Sequence, residues 1–204
     1  MNLYFRLAVA VLFLASLGNT QPARQFKSAA PKIAPAGPAG KPLQISSVFD
    51  EQLGHLEKEF VSAAEAMPAD KFDFVPSVNG GEFQNVRSFA QQVRHVAATN
   101  LVLCAWIEDE PLPITEEEMF NGPANVNTRE QTLRFLNHSF AEAHRTLANL
   151  KTESMLDIVQ RDKRKRNKLA LAITILRHGF DHYGQMVVYL RMNGIVPPAS
   201  RGQQ

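Results

Sequence analysis

The residues of this chain best equipped for chemistry are two histidines four positions apart, in His178-Gly-Phe-Asp-His182. On a helix, side chains at that spacing project about 40° apart and sit about 6 Å apart along the axis, so their imidazoles can grip one ion. Imidazole nitrogen suits zinc, nickel, copper or ferrous iron. Leu171, Ile175, Gln185 and Tyr189 share the face of the pair, which places it at a contact between elements rather than on open surface. Ordinary helix histidines show the same spacing, so a metal reading needs a further ligand from another element. His95 is the candidate, on a face with Gln92, Thr99, Val102 and Trp106 that flanks the main apolar stripe of its segment. A hydrogen-bonded or exposed histidine is the alternative reading of that residue.

The other polar residues carry less. His55, His138 and His144 have no partner at ligand spacing and read as structural or exposed. Glu116-Glu-Glu118 reads as a solvated loop or helix start, and Arg161-Asp-Lys-Arg-Lys-Arg166 as a solvated connector rather than a phosphate site. Asp181 neighbours His182, but adjacent helix residues point about 100° apart. It is either a partner for another ligand or a surface carboxylate, and no general base is identifiable.

The elements that must position these residues are helices. The first spans about residues 47–66, capped by Ser46 or Ser47 and stopped before Pro68, with a stripe of Val48, Leu53, Leu56, Phe60 and Ala64. A structured loop follows, whose Phe72 and Phe74 are expected to pack on the helices. The second helix begins after the cap Ser88 and runs to about Glu108, burying Phe89, Val93, Val96, Asn100, Leu103 and Ile107. The third begins at Thr128, with Gln131 in capping-box register, buries Leu133, Leu136, Phe140 and Leu147, and ends near Leu150. The fourth spans about residues 168–193, with Gly194 as a left-handed stop and Pro197-Pro198 beyond. No segment joins strict alternation to β-branched richness, so no sheet is expected. The fold class is all-α, a four-helix bundle.

Of the 204 residues, 45% are hydrophobic and 21% charged, the balance of a globular protein. A net charge of +2 supplies no field for nucleic acid. One cysteine, Cys104, excludes an intrachain disulfide and lies in an apolar stretch where burial is expected. At the N-terminus Arg6 precedes an apolar run from Leu7 to Leu17. At about eleven residues it fits a signal-peptide core and is short for a bilayer span. Residues 1–20 are therefore expected to be a signal peptide, and residues 21–45, with Ala34-Pro-Ala-Gly-Pro-Ala-Gly40, a flexible linker. Residues 46–200 form the domain. The expected destination is periplasmic or extracellular, with no stable membrane span after cleavage.

Three segments, in order, resemble DinB-like proteins. Met67-Pro-Ala-Asp-Lys-Phe-Asp-Phe-Val-Pro76 is similar to the loop joining their first two helices. Phe89-Ala-Gln-Gln-Val-Arg-His95-Val-Ala97 is similar to their second-helix motif, and the stretch from His178 to Pro198 resembles their closing helix. The resemblance implies a four-helix bundle of non-standard helix order, with one divalent ion (zinc, nickel or iron) held by His95, His178 and His182. It implies either a metal-dependent hydrolase or a thiol-dependent transferase acting on an unknown small molecule, while many family members have no established activity. Export disfavours the transferase, because cytosolic thiol cofactors are scarce outside the cytoplasm. A non-catalytic metal-binding or assembly bundle is the third reading, and a homodimer is compatible with all three.

Overall fold

The computed structural model describes residues 44–77 and 81–202. The expected signal peptide, and the linker up to residue 43, lie outside the described residues. Four long helices carry the architecture: α1 (Ile45–Ala66), α2 (Phe89–Glu108), α4 (Arg129–Ala148) and α5 (Lys168–Met192), with a short α3 (Glu116–Asn121) between α2 and α4. None of the described helices is long and apolar enough to cross a membrane.

Local chemistry explains most of the boundaries. Ser88, Thr115 and Thr128 each accept a hydrogen bond from the backbone three residues on, and Gln91, Glu118 and Gln131 return one, closing three capping boxes. Asn167 caps α5 through Ala170 N–H, and Gly194 follows it at φ 73°, where a side chain would be strained. At α1 the expectation is corrected. The helix begins two residues earlier, its N-cap is Gln44 with no side-chain bond, and the two serines lie within its first turn. Val48 faces solvent, and its place in the stripe belongs to Phe49, which is in helical register with Leu53, Leu56 and Phe60.

The bundle order is crossed. Both α1 and α2 pack against both α4 and α5, whereas α1 with α2, and α4 with α5, make little direct contact. Consecutive helices α1 and α2 therefore sit on a diagonal, joined by the long loop 67–88. Phe72 in that loop packs edge-on to Phe89 and Phe74 edge-on to Tyr189, as expected for aromatics that dock the loop on the bundle. Helix α2 is buried on nearly every side, which explains why its apolar face is broader than a single stripe.

One expectation fails outright. The basic connector is a two-stranded antiparallel hairpin, β1 (Ile158–Arg161) with β2 (Arg164–Asn167), turned at Asp162-Lys163 with Asp162 at φ 54°. It escapes pattern reading because only Val159 is buried and the second strand is Arg-Lys-Arg-Asn. Tertiary anchors hold it instead. Arg161 donates to the carbonyls of Ala105 and Glu110 at the end of α2, and Arg164 pairs with Glu116 at 2.6 Å while lying over the Trp106 ring.

Cys104 is buried as expected, and burial pushes its thiol up to about 12, so it offers no thiolate near neutral pH. Gly179 on α5 packs directly against α1, where an added Cβ would lie 2.4 Å from Leu56 Cδ2. Leu56 is itself fully buried and has nowhere to yield. Gly184 on the same helix faces open space. Gly179→Ala should therefore destabilise, because overpacking costs about 1–3 kcal/mol and outweighs a helix-propensity gain of up to about 1 kcal/mol. Gly184→Ala should stabilise by about that same propensity gain. Urea denaturation of both variants checks this, and equal gains would refute the close packing.

Candidate metal centre

The crossed order sets α2 beside α5, and His95 on α2 meets His178 and His182 on α5. The ring centroids lie 4.8, 5.0 and 4.5 Å apart pairwise. His178 Nε2 is 3.1 Å from His95 Nε2 and 3.1 Å from His182 Nε2. Nitrogens bound at about 2.0–2.1 Å to one ion would be about 2.9 Å apart at octahedral angles and about 3.3 Å apart at tetrahedral ones. The observed separation falls between these values. Among the described residues, this is the one cluster of three or more His, Cys, Asp or Glu side chains disposed to hold an ion.

Each ring is oriented by a different device. His95 Nδ1 donates to the Met119 carbonyl at 2.8 Å. Since a carbonyl only accepts, that bond fixes the proton on Nδ1 and leaves a lone pair on Nε2. Met119 belongs to the last turn of α3, where helix carbonyls lack intrahelical partners. The neighbouring carbonyls are used alike, Phe120 accepting from Arg87 and Asn121 from Arg94. The triple-glutamate stretch is thus a helix start, and the helix it starts serves as a clamp on α2. His182 Nδ1 donates to Gln92 Oε1, Gln92 Nε2 to Gln185 Oε1 at 2.9 Å, and Gln185 Nε2 to Asp181 Oδ2 at 3.4 Å. This chain of amides fixes the second tautomer and resolves the place of Asp181, which reaches His182 through two glutamines. His178 Nδ1 is buried without a partner, so the contacts leave its tautomer open.

Electrostatics keep the cluster neutral. Desolvation lowers the His178 pKa to about 3, helped by the charges of His182 and His95. Desolvation likewise lowers His182 to about 4, only partly countered by Asp181. Burial also lowers His95, against the raising effect of its Met119 bond. Arg87 contributes to the depression of all three. Three neutral imidazoles, two with lone pairs directed at the same point, are a donor set that fits a divalent ion. Among the described residues no carboxylate is hydrogen-bonded to any of these three rings, so their direct contacts there include no carboxylate base.

The sequence singled out all three histidines, and the structure brings them together. It does not single out Arg87, Met119 or Gln92, whose roles depend on which helices are neighbours. His144 has the structural role the sequence suggested. It has partners on α1, with Nδ1 2.6 Å from Asp50 and Nε2 3.2 Å from Glu57, and so ties α4 to α1. His55 is exposed beside Glu51.

A family model described as the DinB superfamily matches residues 52–186, a span that includes all three histidines. Among solved structures, a conserved protein from Enterococcus faecalis is similar at TM-score 0.59 and 14% identity, over 74% of this chain and 98% of that one. A DinB-like protein from Bacillus cereus is similar at TM-score 0.56 and 12% identity, over 74% of this chain and 95% of that one. At these identities the likeness speaks for the fold. No curated protein matches the chain.

Depressed histidine pKa values carry a pH signature. In the unfolded chain these rings take protons below about pH 6.5, whereas His178 and His182 resist until about 3 and about 4. Between those limits the unfolded state binds more protons, so stability falls as pH falls. In metal-free protein the urea midpoint should drop from pH 7 to pH 5, and His178→Gln should flatten that drop. An identical slope in the variant would contradict a buried neutral cluster.

Proposed function

The chain belongs to the DinB superfamily, and on that premise we propose that it is an exported metalloprotein that holds one divalent ion on His95, His178 and His182 and hydrolyses a small-molecule substrate. The observation that carries this reading is the convergence of the three Nε2 atoms, two of them with tautomers set by Met119 and Gln92. Zinc, nickel and ferrous iron all accept such a set. When bound, the ion would supply Lewis acidity, polarising a substrate carbonyl or lowering the pKa of a coordinated water.

The remaining work falls to the chain. Three protein donors are one fewer than a closed structural zinc site uses, which favours a reactive centre over a purely structural one. Met119 and the Gln92–Gln185–Asp181 chain hold two rings in place, so little reorganisation is needed on binding. Arg87 stands close enough to depress all three histidines, and the same positive field would stabilise negative charge developing on a substrate oxygen. Hydrolysis is preferred to thiol transfer because of the expected export signal, Arg6 followed by its apolar run.

Elemental analysis of the full chain, purified without a histidine tag, should find about one divalent ion per molecule. His95→Ala and His182→Ala should abolish it while leaving the helical circular dichroism intact. Gln92→Leu should weaken metal affinity about 10- to 100-fold. Unchanged metal in either alanine variant would remove that residue from the ligand set. Ester and amide turnover should vanish with chelator and return with metal, whereas tight metal binding without turnover would leave a non-catalytic bundle.

A further inference from the structure

A second feature lies on the same face of α2, one turn and more beyond His95. It is a cavity of about 200 Å³ with apolar walls from Val102, Leu112 and Met119 and the ring of Trp106. Two further observations set it apart from a packing gap. Two of its lining residues, Thr99 and Trp106, are more than nine-tenths buried. Their polar atoms, Thr99 Oγ1 and Trp106 Nε1, have no hydrogen-bond partner among the described residues. A buried donor or acceptor without a partner costs about 1–3 kcal/mol, and two beside one cavity mark a place where a guest's polar atom would be rewarded. Met119, whose carbonyl orients His95, also belongs to the wall.

The charges around the cavity narrow the guest. Arg161, Arg164 and Glu116 lie at its edge. Arg161 donates to two backbone carbonyls, and Arg164 is paired with Glu116 at 2.6 Å with Asp162 at 4.0 Å. An anion seeking Arg164 would have to break a formed ion pair, and Arg161 has already committed its Nη2 to two carbonyls. A neutral guest meets no such cost. The indole N–H can only donate, so the guest must bring an acceptor. The volume is somewhat larger than the 150 Å³ engineered cavity that accommodates benzene, which limits the guest to about one ring or a short branched chain.

We propose that this cavity is a binding site for a small neutral molecule with an apolar body and one carbonyl-type acceptor, seated against Trp106 and Thr99. The site goes beyond the metal reading and does not require it, because none of the three histidines lines the cavity.

The chain contains a single tryptophan, so its one indole N–H resonance reports on the cavity directly. The ¹⁵N-labelled full chain would be titrated in chelator with cyclohexanone, with its acceptor-free isostere methylenecyclohexane, and with cyclohexanecarboxylate. Cyclohexanone should shift the indole signal saturably, with a dissociation constant on the order of 1 mM for so small a ligand. Methylenecyclohexane should leave the indole proton near its free position, and the carboxylate should bind at least several-fold more weakly. Leu112→Phe, which fills the cavity from the loop side, should abolish the effect in a protein whose other resonances stay dispersed. Thr99→Val should weaken cyclohexanone several-fold with the fold retained. Failure of cyclohexanone to saturate, an equal indole shift with the hydrocarbon, tighter binding of the carboxylate, or an unchanged titration in Leu112→Phe would each overturn the proposal. Because chelator is present throughout, these results are independent of whether the histidines hold an ion.

Discussion

Where α2 packs against α5, a layer of polar side chains stands in place of hydrophobic ones: Gln92 and His95 from one helix, His178, His182 and Gln185 from the other. Burying such groups is costly unless each finds a partner. The structure satisfies the outward ends of His95 and His182 with Met119 and with the amide chain to Asp181, leaves His178 Nδ1 without a partner among the described residues, and sets the inward ends, the three Nε2 atoms, facing one another. Such a layer is the arrangement in which a polar network has most to gain from a cation and most to lose from a missing member. The apolar remainder of the core, from Leu53 and Phe60 to Phe140 and Leu190, supplies the rigidity that holds the layer together.

The short helix α3 shows how much depends on groups that carry no side-chain signal. Its capping box at Thr115 and Glu118 fixes where it starts. Gly122, at φ 81°, ends it, and its last carbonyls then face His95, Arg87 and Arg94. A helix of six residues is unstable alone. Here it persists because its unpaired carbonyls are met by donors from α2 and from Arg87 just before it, each satisfying the other. Arg161 and Arg164 do the same for the hairpin, which has almost no core of its own. Two weak elements are thus held by contacts to the same strong helix, and the cavity beside Trp106 lies between them.

The features legible in the sequence were those fixed by neighbours along the chain. Ser88, Gln131 and Gly194 announce helix ends through bonds that span three or four residues, and the His178–His182 spacing is a property of one helix. What escaped was fixed across space. The hairpin lacks the alternation that marks a half-buried strand, because its strands are four residues long and mostly exposed. Gln92 reads as an ordinary polar residue until Gln185 stands opposite it, and His144 reads as solitary until α1 supplies Asp50 and Glu57. The α1 start was misplaced because two serines offered a plausible cap that the backbone does not use.

The choice of His95 as a ligand has a topological consequence that spacing alone cannot supply. In a simple up-and-down bundle each long helix neighbours the one before and after it, so the second and fourth lie on a diagonal. In that arrangement α2 and α5 would face each other only across the width of the core, and a shared site would have to sit at the bundle axis. The crossed order reverses this, since α1 and α2 become the diagonal pair and α2 becomes a neighbour of α5. The long loop after α1 is what permits the crossing, and its aromatics, Phe72 and Phe74, dock on residues at the start of α2 and the end of α5. Loop, helix order and histidine triad are therefore one constraint seen at three scales: the crossing makes α2 and α5 direct neighbours, and the three rings meet in the interface they share.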